Sequence, residues 1–409
     1  MKTDIDALMK ENKIDVLFIT GAASNNPFMY YFTGNVHVGA GEIIKKLGEE
    51  PILFYNPMER EEAAKSGMKT KNRAEFKFAD ILKSVDGDAQ KATAGLYEKM
   101  LGTAGVTGGR MGIYGKVEIG RIYEVLGHLN KNMPELEIVG EGGVSVLSEA
   151  MVTKDETEVD RIRQMGKVTE EVVGKTAKFL QSHKAKDGVL VKDDGTPLKI
   201  KDVKAKINYW VMEAGVTNPH DCIFALGRDA GIPHSVGTLD DNLVLGKTIV
   251  FDIFLQEAGA GYHYDFTRTW CLGFAPEAEQ KMYDDVRTVF DDVMGGLEAN
   301  ASLVDLQTYT CELFEAQGHP TIRQDATSQE GYVHSLGHGL GLNIHELPFS
   351  RGSNNSLQPG VVATIEPGLY YPDKDMGCRI EDSIYVHPDG QIEILADYPY
   401  DLVLPIEEL

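Results

Sequence analysis

The chain is predicted to fold as an α/β domain over residues 1–150, followed by an α+β domain over 151–409 built on a curved antiparallel sheet. Three observations support this. Residues 1–150 alternate short apolar runs with polar stretches of helical period. A long amphipathic segment opens near 150–155, where the pattern changes. Beyond it come helices, a pair of apolar strands, two more helices, and a glycine-rich run of strand and turn to the end. At 409 residues the chain is too long for one ordinary core and suits two domains.

In the first domain, IDVLFIT (14–20) reads as a buried strand. NNPFMYYFTGN (25–35) reads as a turn with aromatic residues; Tyr31-Phe32-Thr33-Gly34 there suits either aromatic packing beside the turn or a place near a site. PILFY (51–55), RMGIYG (110–115) and ELEIVG (135–140) are further short strands bounded by Gly, Pro or charge. The polar stretches 58–66 and 116–131 have helical period. No phosphate-loop glycine pattern is present here.

The second domain opens with 151–183, a surface helix with Thr153 or Asp155 as N-cap and acids in its first turn. KDDGTPLK (192–199) is a turn or hairpin. Residues 201–215 form a helix closed by Gly215. CIFALGRDAGIPHS (222–235) leads into a loop bearing His234. KTIVFDIFLQ (247–256) and GYHYDFTRTWCLGF (261–274) are β-branched and aromatic strands. A helix over 276–302 starts at Pro276, and another over 303–319 ends at Gly318.

Apolar content of 42% and charged content of 25% mark an ordinary globular protein. A formal net charge of −23 argues against nucleic acid and anionic membranes as partners. No apolar run approaches the ~20 residues that span a bilayer, and the polar start of the chain predicts a cytoplasmic protein. Cys222, Cys271, Cys311 and Cys378 form no CxxC pair and are expected as free thiols.

The chemistry concentrates at 331–381 and in the strand pair before it. Asp252 and Asp265 stand 13 residues apart on a predicted hairpin that can bring both carboxylates to one face. Asp252 follows the apolar run IVF and should be buried. Asp265, Thr267 and Thr269 share a face by strand alternation, so Thr267 can orient a neighbouring carboxylate. His334, His338 and His345 fall within twelve residues, around the glycines of GHGLG that admit backbone close to an ion or substrate. Glu366 ends the apolar strand VVATI, and Arg379 and Glu381 share a face in RIED. Buried carboxylates without partners are costly, and a metal is the partner most consistent with four of them. The charges of Asp252, Asp265, Glu366 and Glu381 sum to −4, which two divalent cations balance. Carboxylates with one imidazole suit Mn²⁺, Co²⁺ or Zn²⁺, with Mn²⁺ the first choice. Two ions about 3.5–4 Å apart would activate a shared water.

The ordered set Asp252, Asp265, His338, Glu366 and Glu381, with YHYDFTRT, GHGLGLNIHELP, IEPG and RIED around it, resembles the metal ligands of the M24 pita-bread metallopeptidases. Residues 1–150 are similar, through YYFTG and their length, to the creatinase-like N-terminal domain of the aminopeptidase P and prolidase branch. The resemblance implies that Asp252 and Asp265 are shared ligands, with Asp265 bridging. It implies that His338 binds one metal, and that Glu366 and Glu381 complete the pair, with Glu366 also the general base. His234 in IPHS would face the substrate, and His345 in NIHE would stabilise the intermediate or the leaving nitrogen. Arg379 would anchor Asp265 or a substrate carboxylate, and His334 would stand on the proline side of the pocket. It further implies a homodimer or higher homo-oligomer.

The activity this implies is release of the N-terminal residue from Xaa-Pro peptides. The alternative is Xaa-Pro dipeptidase, prolidase. A rival of another class, a catalytically idle pita-bread domain that binds a partner protein, is opposed by the complete ligand set. A dipeptidase would need a cation for the product carboxylate. Arg268 and Arg379 inside the motifs read as partners of the site's own acids, and Arg228 lies six residues before His234. With no cation clearly committed to that carboxylate, the sequence favours the aminopeptidase.

Overall fold

The computed structural model describes residues 4–353 and 355–408. The chain divides into two compact units: Met1–Ala150 with Gly259–Gly261, and Met151–Ala258 with Tyr262–Leu409.

The first unit is a six-stranded sheet in the order Lys69–Asn72, Ile52–Tyr55, Gly41–Lys46, Val16–Gly21, Gly109–Gly115, Leu136–Val139. All strands run parallel except Gly41–Lys46, which is antiparallel to both neighbours. Strand alternation sends Val16 and Phe18 to one face, against helices Ala89–Thr103 and Ile119–Asn132. Leu17 and Ile19 go to the other face, with Ile5, Met29, Phe32 and Leu147. An α/β layer structure follows directly from this two-sided burial. Residues 27–33 are helical rather than a turn, with Pro27 at the first helical position. There Phe32 packs into the core and the Tyr31 hydroxyl donates to the Ala150 carbonyl at 3.2 Å, so aromatic packing accounts for this segment. Strand Gly41–Lys46 escapes sequence reading because it carries Glu42 and Lys45, both buried. Lys45 is neutralised by Asp6, 2.6 Å away.

In the second unit, helix Glu156–Gln181 is capped by Asp155, in a box closed reciprocally with Glu158. One sheet runs Ile223–Leu226, Thr248–Glu257, His263–Leu272, Val403–Leu404. A second runs Glu346–Phe349, His338–Gly339, Val362–Ile365, Asp382–Val386, Ile392–Ile394. The antiparallel bridge Thr267–Glu381 joins them. Helices Glu277–Gly295 and Leu303–Ala316 pack Val286, Phe290, Cys311 and Phe314 against Ala363, Ile365, Leu369 and Ile384. The α/β-plus-α+β organisation predicted from sequence is the one observed. All four cysteines are free and buried. Among the described residues, no helix is long and apolar enough to cross a membrane.

Arg268 ties the two sheets together. It is 1% exposed and points away from the acids, on the opposite face of its strand. Its guanidinium donates to the Thr267 and Glu381 carbonyls at 3.0 and 2.9 Å, and to Asp382 Oδ1 at 2.9 Å. The rings of Phe266 and Tyr400 lie 4.2 Å from it. Arg268 therefore pairs with Asp382 rather than with the acids of the site. Arg268→Ala leaves the Asp382 charge buried and should cost about 3–5 kcal/mol of unfolding free energy. Urea denaturation of the variant showing a loss below about 1 kcal/mol, the scale of a surface pair, would contradict this account.

Candidate metal centre

The hairpin Thr248–Glu257/His263–Leu272 sets the floor of the site. Its register pairs Asp252 with Thr267 and Phe254 with Asp265, so Asp252, Asp265, Thr267 and Thr269 lie on one face. Each of the last three has a distinct task. Asp265 holds its carboxylate through the Phe266 N–H, 3.0 Å from Oδ1. The Thr267 hydroxyl donates to Glu381 Oε2 at 2.6 Å. Thr269 Oγ1 accepts from the Arg379 N–H at 3.0 Å and donates to its carbonyl at 2.9 Å.

The wall is the glycine-flanked His338. A Cβ on Gly337 would stand 2.0 Å from the Thr364 carbonyl, and one on Gly339 2.1 Å from that of Leu347. Only glycine permits this approach, and it presses His338 between strands. His338 Nδ1 lies 3.1 Å from the Gly339 carbonyl, which assigns the proton to Nδ1 and leaves Nε2 a lone pair. That lone pair faces Asp265 Oδ2 at 3.8 Å and Glu366 Oε1 at 3.5 Å. Burial, then neighbouring His345, pushes the imidazole down to about 3, so it is neutral.

Asp265, His338 and Glu381 bring ligand atoms within 4.8 Å of one another and form a group that could hold a metal ion. Glu366 borders it, its Oε1 3.4 Å from the Thr364 hydroxyl. Asp252 is placed differently. Its Oδ2 accepts from Arg379 at 2.6 Å, while its buried Oδ1 has no hydrogen-bond partner. Arg379 thus anchors Asp252, where the family resemblance implied Asp265 or a substrate carboxylate.

The electrostatics point the same way. Burial first, then Asp252 and Glu366, raises the Asp265 carboxyl well above its ordinary value. Burial and then Asp265 does the same to Glu381. Burial raises Glu366 to about 8, opposed by Arg379 and reinforced by Asp252. Lone pairs and carboxylates facing one another without intervening donors, together with the orphaned Asp252 oxygen, fit divalent cations.

A polar chain runs outward from Asp252. Arg379 donates to the Tyr370 hydroxyl at 2.5 Å, and that hydroxyl lies 2.8 Å from His334 Nε2. His334 Nδ1 is 2.8 Å from the Ser335 carbonyl, so Nε2 accepts the Tyr370 proton. Burial and then Arg379 hold His334 near 3, neutral. Sequence reading missed Tyr370. The signal lies in register: Gly368 faces Arg379 across the strand pair, and a Cβ there would stand 2.6 Å from the Tyr370 oxygen. Glycine opposite the arginine makes room for the tyrosine.

His345 packs edge-on to His338, ring centroids 4.3 Å apart, and is exposed. His234 is also exposed, close enough for its charge to act on His334 and His345. The Pro233 carbonyl accepts from Arg379 at 3.3 Å, which fixes the loop carrying His234. Arg228 is exposed, just before the short helix Asp229–Gly231.

The model of metallopeptidase family M24 matches residues 160–388, more than half of the chain. This chain belongs to metallopeptidase family M24. The match spans Asp252 to Glu381, so the centre described above is that of an M24 hydrolase. Over 400 residues the chain is 27% identical to Xaa-Pro dipeptidase of Pyrococcus furiosus, covering 95% of this chain and 97% of the relative. It is 29% identical to probable dipeptidase PepE of Mycobacterium tuberculosis over 63% of this chain and 62% of the relative. Among solved structures, prolidase of Pyrococcus horikoshii superposes with a TM-score of 0.73 at 24% identity, covering 98% of each chain. X-Pro aminopeptidase of Thermotoga maritima gives 0.73 at 20% identity, covering 95% of this chain and 97% of that one. At these identities the two structures establish the shared fold.

The raised carboxyls predict a pH response in this M24 protein when it is stripped of metal. Between the ordinary value of 4.5 and about 8, the folded chain holds a proton on Glu366 that the unfolded chain has lost. Stability of the chelated protein therefore falls as pH rises through this window. Added Mn²⁺ should restore it most at the alkaline end. Thermal melts with chelator that are flat or rising from pH 5 to 8 would contradict the shift.

Proposed function

We propose that this chain is an Xaa-Pro dipeptidase working with two divalent metal ions, Mn²⁺ first among Mn²⁺, Co²⁺ and Zn²⁺. The observation that carries the reading is similarity to an Xaa-Pro dipeptidase along almost the whole of both chains. It outweighs the sequence-based preference for the aminopeptidase, which rested on seeing no cation committed to a product carboxylate. Asp252, Asp265, His338, Glu366 and Glu381 would hold the ions. When bound, such ions activate water and polarise the scissile carbonyl.

The chain's own groups do the rest. Glu366, beside His338 Nε2, would take a proton from the attacking water and pass it to the departing proline nitrogen. His345 and His234 would hydrogen-bond the substrate carbonyl or the developing charge. Arg379 holds Asp252 in place, and Tyr370 and His334 brace Arg379, on what would be the proline side of the pocket.

Product analysis with Gly-Pro, Ala-Pro and Ala-Pro-Ala, each with added Mn²⁺, Co²⁺ or Zn²⁺, tests the assignment. The dipeptides should be cleaved and the tripeptide left nearly intact. Comparable release of alanine from Ala-Pro-Ala would make the protein an aminopeptidase, and no turnover with any metal would favour the idle binding domain. In the same assay Glu381→Ala should lose metal and activity together. His345→Ala should keep its metal while kcat falls by ~10²-fold. Metal loss in His345→Ala would mean that the imidazole is a ligand.

The homo-oligomer implied by the family resemblance is part of the same reading. Light scattering should give at least twice the 45.0 kDa chain mass, and a fully active species at 45.0 kDa would refute it.

A further inference from the structure

The first unit contains a cavity of about 540 Å³, within the about 300–1,000 Å³ range of small-molecule sites. It opens at the carboxyl ends of the parallel strands. Thr20 and Gly21 close one strand, Asn56 and Pro57 follow a second, Arg73 follows a third, and Val117 and Glu118 follow a fourth. Open α/β sheets take their ligands on this side.

Glu42 lies among the lining residues and is the unusual one. It is 4% exposed, and its buried Oε2 has no hydrogen-bond partner. The nearest cation, Arg73 Nε, stands 3.6 Å away, beyond hydrogen-bond reach. Strand pairing sets Glu42 between Thr20 and Phe54 on the face covered by Ala89–Thr103 and Ile119–Asn132. Burial raises its carboxyl to about 7, with the Arg73 and Arg121 charges and a hydrogen bond from Tyr97 pulling the other way. A buried carboxylate oxygen without a donor costs stability, so a residue held this way suits a ligand that supplies the donor. Leu96, Ile122, Val125 and Phe78 make the walls apolar.

We propose that this cavity binds an apolar α-amino acid. Its ammonium group would donate to Glu42 Oε2, its carboxylate would meet Arg73, and its side chain would lie against Leu96, Ile122 and Val125. One acid and one guanidinium side by side, imperfectly joined, match both charges of a zwitterionic head group, and the walls match its body. The inference rests on the first unit alone and stands whether or not the chain is a dipeptidase.

Isothermal titration of L-leucine into the full chain, stripped of metal so that the metal centre offers no ions to an amino acid, tests it. One leucine per chain should bind at millimolar concentration or tighter. Glu42→Gln, nearly isosteric, and Arg73→Gln, at a half-exposed site, should each weaken binding about tenfold or more. 4-Methylvalerate and isoamylamine, which each lack one of the charges, should bind correspondingly worse. No binding, binding unchanged in both variants, or isoamylamine matching leucine would each overturn the proposal. Should Glu42→Gln fail to fold, Arg73→Gln and the two analogues still decide.

Discussion

Carboxylates crowded out of water are the constraint on which the rest of this structure depends. Asp265 and Glu381 are 5% and 1% exposed, Asp252 is 9% exposed, and Glu366 stands beside them. One buried guanidinium, Arg379, is spent on Asp252. The imidazole that faces them is neutral and offers a lone pair, not a proton. Such an arrangement is unfavourable by itself, because each charge raises its neighbours' affinity for protons. It becomes favourable with divalent cations present, so metal binding and the stability of the second unit are linked through the same side chains.

Holding like charges together requires a stiff frame, and the alternation of one strand supplies much of it. Residues 265, 267 and 269 face the centre and carry an acid and two hydroxyls, which position Glu381 and the backbone of Arg379. Residue 268 faces the other way and clamps the neighbouring sheet through Asp382 and two backbone carbonyls. A single strand thus places one wall of the site and locks its back. Close contacts at Gly337, Gly339 and Gly368 finish the frame by admitting backbone or a tyrosine where any side chain would collide.

The first unit follows another logic. Its inner strands are covered on both faces and are largely apolar, while the edge strand Lys69–Asn72 is polar throughout. Among the described residues of this sheet, the buried charged side chains are Glu42 and Lys45, both on the antiparallel strand. Lys45 is hydrogen-bonded to Asp6, whereas Oε2 of Glu42 has only the Arg73 guanidinium at 3.6 Å and no hydrogen-bond partner. That difference separates a structural ion pair from a group left facing a cavity.

Much of this was legible in the chain itself. Periodicity and punctuation located helix Glu156–Gln181 with its cap, the strand pair around Asp252 and Asp265, and helices after Pro276 and before Gly318, because local propensity and the buried face agree there. Spacing singled out the acids and His338, since a glutamate after four apolar residues has nowhere to go but inward. Helix Pro27–Thr33 and strand Gly41–Lys46 were illegible, one short and aromatic, the other carrying buried charge that looks like surface. Partner choice was equally hidden. That Arg379 holds Asp252, that Tyr370 reaches Arg379 over Gly368, and that Arg268 pairs with Asp382 are decided by register between distant strands. Sequence spacing states which face a residue takes within its own strand. Only the packed sheets decide which residue of another strand lies across from it, because that pairing is settled by the burial of both faces at once.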